Sequence, residues 1–105
     1  MSDSPAAANP DWLDNTHPGE MLTIDFMEPP SLDAAALARA VDLPEERLSK
    51  VIAGERPVDA ELDLRLGRYF GMSDGFFMRL QVQHDLLEAK RTLNGRLEHI
   101  LPRAA

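Results

Sequence analysis

Four polar residues crowded into one short run could do chemistry together: Glu46, Arg47, Ser49 and Lys50, within PEERLSKVIAG at residues 44–54. Arg47 and Lys50 can donate to guanine O6 and N7 or to a phosphate. Ser49 can bond a base edge or a phosphate, and Glu46 can accept from cytosine N4. Arg39 and Arg56, on either side of the run, are further candidates for contact with DNA. At 100° per residue, a helix through this run turns Leu48, Val51 and Ile52 inward. Glu46, Lys50 and Ala53 then face outward, with Arg47 and Ser49 on the flanks. The alternative is the solvated face of an ordinary two-helix corner, since alternating charge on a surface helix is common.

The elements that must position these side chains lie between Asp33 and Gly54. Leu37, Ala38 and Val41 fall at helical spacing, as do Leu48, Val51 and Ile52, and Gly54 stands where a helix would stop. Asp33 is placed to cap the first helix. Between the two lies Val41-Asp42-Leu43-Pro44. Aspartate tolerates a left-handed backbone better than most residues, and Pro44 can open a helix because its missing N–H would be unpaired there anyway. Two short helices joined by a tight turn form a helix-turn-helix, whose second helix reads a major groove; sequence-specific DNA binding is the leading expectation.

The flanks extend this into an all-α, five-helix domain. His17-Pro18-Gly19-Glu20 opens a helix, with Leu22 and Phe26 as its inward pair and Met21 beside them, and Pro29-Pro30 ends it. Asp59 caps the next helix after the central pair. Its stripe is Leu62, Leu66, Tyr69 and Phe70, with Leu64 packed on the opposite side, and Gly71 closes it. Ser73 is placed to cap a final helix from about residue 74 to Leu93, before Asn94-Gly95 breaks it. That helix carries two apolar stripes: Phe76, Phe77, Leu80 and Leu87 as a core face, and Met78, Val82, Leu86, Ala89 and Leu93 as a second. The tail, residues 96–105, could cover the second stripe with Leu97, Ile100 and Leu101. A self-complementary stripe is a simple route to a two-fold dimer, which would also set two reading helices about one DNA turn apart, and a homodimer interface is preferred. Residues 1–16 read as an acidic, mobile arm, residues 17–93 as the domain and residues 94–105 as a tail. Within the arm, Trp12 and Leu13 either fold back over the domain edge or anchor a partner.

Charge qualifies the DNA reading. The net charge is −7 over 105 residues. Residues 1–30 hold six acids and no base, residues 31–60 six acids against four bases, and residues 61–105 six acids against seven. With no strongly basic face, non-specific affinity should be weak and its salt dependence shallow. The absence of cysteine excludes disulfides and thiolate metal sites and fits a reducing cytosol, so a cytoplasmic location is expected. No apolar run approaches the roughly 20 residues of a membrane span. His17, His84 and His99 fall on separate elements, without a zinc-protease motif, a phosphate loop or a serine elbow. No enzyme activity, metal or cofactor is expected, and His84 reads as a surface or interface residue.

Taken together, these residues resemble the HigA-type, or VapI-like, addiction-module antitoxins of the Xre-like helix-turn-helix group. The match runs over roughly residues 17–87. It starts at His17-Pro18-Gly19-Glu20 and continues through Phe26, Glu28-Pro29, Leu37-Ala38-Arg39-Ala40, Arg47-Leu48-Ser49, Ile52, Gly54 and Arg56. It ends with Leu64-Arg65-Leu66, Phe70-Gly71, Ser73, Phe76-Phe77, Leu80-Gln81 and Asp85-Leu86. The resemblance implies a lambda-repressor-like, dimeric repressor of its own operon at a palindromic operator. It also implies an antitoxin that binds and neutralises a RelE-like mRNA endonuclease toxin. No toxin-contact motif carries over, so Trp12 and Leu13 are the only candidates, and the acidic front would suit a basic partner. Three departures point to weaker DNA contact: Ala34 where the family often has Gln, Asp42 where the turn usually has Gly, and Glu45-Glu46 ahead of Arg47. Phe77 stands where Trp is common, a conservative core change. Two other readings remain: a stand-alone Xre-like repressor, or a protein-binding module whose reading helix has lapsed.

Overall fold

The structure is a computed structural model and describes residues 15–104; the candidates Trp12 and Leu13 lie outside the described residues. Five helices follow one another: α1 (Pro18–Met21, running on as a π-helical segment Leu22–Met27), α2 (Ala34–Val41), α3 (Glu45–Ile52), α4 (Ala60–Phe70) and α5 (Phe76–Leu93). A 3₁₀ turn, Arg96–His99, follows.

Local capping chemistry accounts for most of the boundaries. His17 Nδ1 accepts the Gly19 N–H at 2.9 Å and starts α1. Asp33 caps α2 by accepting the Ala36 N–H at 2.7 Å, and Asp59 caps α4 by accepting that of Leu62 at 2.8 Å. Asp42 ends α2 in the left-handed region at φ 59°, as its residue type allows. Pro44 sits one step outside α3, as its N-cap and not as its first helical residue.

Elsewhere neighbours override the local pattern. The second half of α1 widens to i→i+5 closure, with the Glu28 N–H bonded to the Thr23 carbonyl at 2.8 Å. In an α-helix Leu22 and Met27 would lie roughly 140° apart; the wider turn brings both into the core, 2% and 4% exposed. Met27 therefore joins Leu22 as a deep residue of this helix, while the expected partner Phe26 is only half-buried. Phe26 instead joins an aromatic cluster with Phe70, Phe76 and Phe77, with centroids 5.0–6.4 Å apart.

Along α4 the expected stripe is corrected. Leu62 and Leu66 are buried, but Tyr69 is 47% exposed, and Leu64 is 51% exposed and not packed on a second face. This helix meets α2 and α5 through the side carrying Leu62, Leu66 and Gly67, which leaves the Leu64–Tyr69 side to solvent.

The start of α5 also differs. It begins at Phe76 behind Gly75 (φ 92°), and the Ser73 side chain makes no cap bond. The cap comes from α4: the Asp63 carboxylate accepts the N–H groups of Gly75 (2.7 Å), Phe77 (2.8 Å) and Met78 (3.0 Å). Asp63 is buried, and the donors it satisfies are those a helix leaves unpaired in its first turn. Farther along, Phe77 is buried and Phe76, Leu80 and Leu87 are half-buried, as a core face requires. On the second stripe Met78 and Leu93 are half-buried, while Val82, Leu86 and Ala89 are exposed. The tail does not bury its own apolar side chains there, because Leu97, Ile100 and Leu101 stay 51–83% exposed.

Candidate nucleic-acid interface

Helix α3 is anchored on three sides. Leu48 and Val51 are buried in the core beside Leu37, Leu62 and Leu66. Helix α1 crosses its last turn at Gly19, where an added Cβ would sit 1.9 Å from the Val51 carbonyl oxygen, so only glycine permits this approach. Gly54, at φ 80°, closes the helix, with its N–H bonded to the Val51 carbonyl and that of Glu55 to the Lys50 carbonyl. The His17 ring packs against Gly54 and stands edge-on to His84 at 5.0 Å. Burial, and then the neighbouring His84, lower the His17 pKa from its ordinary value, with Asp85 opposing them.

This anchoring leaves Glu46 and Lys50 exposed on the free side of α3, one turn apart and 3.8 Å from each other, with Ser49 half-buried beside them. Arg39 is exposed on α2, and Arg56 on the bend after α3, where its charge is felt at Asp59. Buried Gln81 of α5 holds that bend by accepting the Val58 N–H at 2.8 Å.

Arg47 does not project with the others. Its guanidinium turns toward α4 and bonds both Asp59 Oδ2 (2.8 Å) and Glu61 Oε1 (3.0 Å), leaving its side chain 19% exposed. The expectation of Glu46, Arg47, Ser49 and Lys50 reaching out together is corrected: α3 presents three of the four. Hydrogen bonds to Glu61 and Asp59 raise the Arg47 pKa above its ordinary value. Bonds from Arg47 and then Arg65 lower that of Glu61. For Asp59, partial burial works the other way, but the Leu62 N–H and Arg47 outweigh it and the pKa falls.

Two residues outside the sequence-derived site set its geometry. Arg65 bonds the carbonyls of Val41 (2.9 Å) and Asp42 (3.1 Å), neutralising the negative end of α2, and also holds Glu61. Asp63 fixes where α5 begins. Neither role could be read locally: Arg65 lies 24 residues from Val41, and Asp63 lies 14 from Phe77. Among the described residues, no group of three or more His, Asp or Glu side chains could hold a metal ion, and no helix is long and apolar enough to cross a membrane.

No family model matches the chain. Among known proteins it is 35% identical to virulence-associated protein I of Dichelobacter nodosus over 75 residues, 71% of this chain and 69% of the relative. Among solved structures it is similar to PA4674 of Pseudomonas aeruginosa in complex with its 18-bp operator DNA. There the identity is 35% and the TM-score 0.81, covering 86% of this chain and 96% of that one. It is likewise similar to the Pseudomonas aeruginosa antitoxin HigA with the higBA promoter, at 32% identity and TM-score 0.80, over 88% and 100% of the two chains.

Proposed function

Because the chain belongs to the HigA-type, VapI-like antitoxins of the Xre-like helix-turn-helix group, we propose that it is an operator-binding autorepressor and the antitoxin of a RelE-like endonuclease toxin. The observation that carries the DNA half is the geometry of α3: a short helix fixed by the core and by Gly19, with Glu46 and Lys50 exposed and Ser49 half-buried beside them. Two relatives of the same fold were solved on operator or promoter DNA. In the proposed mechanism α3 enters the major groove. Lys50 and Ser49 contact bases or phosphates, Glu46 selects against bases that lack a donor, and Arg39 and Arg56 grip the backbone.

The protein acts as a homodimer in this reading. Val82 and Leu86 are 48% and 56% exposed on α5, continuous with half-buried Met78 and Leu93 and exposed Ala89. An apolar helix stripe of that kind pairs with itself across a two-fold axis and places two reading helices against the halves of a palindrome. The toxin half is supported by membership of the family and by the six uncompensated acids of residues 1–30, which suit a basic RNA-cleaving partner.

Footprinting across the promoter of its own gene tests the repressor. Protection of a palindrome is expected, and Lys50→Ala should weaken it by about 1–3 kcal/mol if Lys50 contacts a base. Co-purification with the product of an adjacent toxin gene tests the antitoxin. The engagement of Arg47 by Asp59 and Glu61 favours a second reading, a protein-binding module with weakened DNA contact. A footprint lost in Lys50→Ala eliminates it.

A further inference from the structure

The reading helix gives up one of its two cations to its neighbour. We propose that Asp59 and Glu61 form a latch that withholds Arg47 from DNA and so sets how tightly the protein binds, an inference that rests on the DNA-binding reading above. Each guanidinium nitrogen of the pair takes its own carboxylate, at 2.8 and 3.0 Å, and both acids come from the start of α4 and not from α3 itself. Each acid has a second anchor. The other Asp59 oxygen accepts the Leu62 N–H at 2.8 Å, and the other Glu61 oxygen accepts from Arg65, which is itself bonded to the Val41 and Asp42 carbonyls. The carboxylates are therefore held by the helix-turn-helix scaffold and wait for Arg47 in place, whereas an ordinary surface pair must order two free side chains.

The latch can open. The Glu61 and Asp59 side chains are 51% and 41% exposed, so solvent weakens their hold. Arg47 lies one turn before Lys50, so a released guanidinium can come to the helix face that carries Lys50. In the latched state α3 offers the duplex a single cation, paired at 3.8 Å with Glu46. The acids thus determine how far the interface is driven by phosphate attraction and how far by the contacts of Glu46, Ser49 and Lys50.

The test compares the full-length wild type with Asp59→Asn/Glu61→Gln, with Arg47→Gln and with the triple variant. The Asp59→Asn change keeps a cap acceptor for α4. Fluorescence anisotropy against a duplex from the protein's own promoter, and against a scrambled duplex of equal length, reads affinity from 50 to 200 mM salt. The acid-neutral variant is expected to bind both duplexes more tightly. One new phosphate contact steepens the salt slope by about 0.9, so its gain over wild type should be about 3.5-fold larger at 50 mM than at 200 mM. In the Arg47→Gln background the gain should vanish. An equal gain there would show that the acids act only by repelling DNA, and would overturn the proposal. So would no gain at all while the wild type binds its promoter. If neither protein binds any duplex, the DNA-binding reading falls and the latch with it. Should Arg47→Gln fail to fold, the wild-type Arg47 Nε–Hε NMR signal replaces it: a shift on adding the acid-neutral changes supports the latch, and an unmoved signal refutes it.

Discussion

Asp63 offers the sharpest test of how this fold is held together. Its two oxygens accept three backbone N–H groups at the start of α5, and the residue is only 2% exposed. Asp63→Ala deletes the partner of all three. A buried donor left unpaired costs about 1–3 kcal/mol. Water can reach the Gly75 N–H more readily than that of buried Phe77, so the sum should fall below three full penalties, at about 3–5 kcal/mol. Asp63→Asn retains one acceptor but turns an amide N–H₂ toward a donor, at an expected cost of about 2 kcal/mol. A domain of roughly ninety residues has only about 5–13 kcal/mol in all. Each kcal/mol moves the midpoint by about 4–8 °C, so the Asn variant should melt roughly 8–16 °C below wild type and the Ala variant should be marginally folded. Circular dichroism melts with urea titrations measure both. An Asn variant melting within about 3 °C of wild type would refute the assignment of Asp63 as the cap that founds α5.

Three further outcomes follow from the same geometry. Gly19→Ala places a methyl against the Val51 carbonyl, backbone against backbone, and should destabilise by at least the roughly 1–3 kcal/mol of ordinary overpacking, with promoter binding lost in parallel; a melt and a footprint check it. For the proposed homodimer, Leu86→Glu, on an exposed position, should leave the helical signal unchanged but halve the mass measured by light scattering; a variant that keeps the dimer mass would refute the stripe as the interface. His17 has a folded-state pKa below the ordinary 6.5, so the unfolded chain binds the proton first. Stability contributed by neutral His17 is therefore present above pH 6.5 and is lost as pH falls through 6.5 toward the folded-state value. Subtracting the melting curve of His17→Asn, which keeps a cap acceptor without titrating, should isolate that loss.

What could be read from the chain was local. Asp33 and Asp59 cap helices that begin at the next residue, and Gly54 and Gly71 stop the helices before them, because each effect spans four residues or fewer. The inward set Leu37, Val41, Leu48, Val51, Leu62 and Leu66 followed from helical period alone. What escaped depended on neighbours distant in sequence. Periodicity could not tell that Leu64 and Tyr69 would stay about half exposed. It also could not show that the carboxylate capping α5 would come from Asp63 and not from Ser73, or that Asp59 and Glu61, 12 and 14 residues on, would claim Arg47. The π-helical turn of α1 likewise answers to the demand that Leu22 and Met27 share one core, and the i, i+4 pairing of Leu22 with Phe26 hid it.

The bare crossing at Gly19 has a mechanical corollary. With no side chain between the two backbones, the opening helix rests directly on the Val51 carbonyl, one residue after Lys50. The opening helix and the reading helix are therefore one rigid corner, and the orientation of Lys50 is set as much by the HPGE turn as by its own helix.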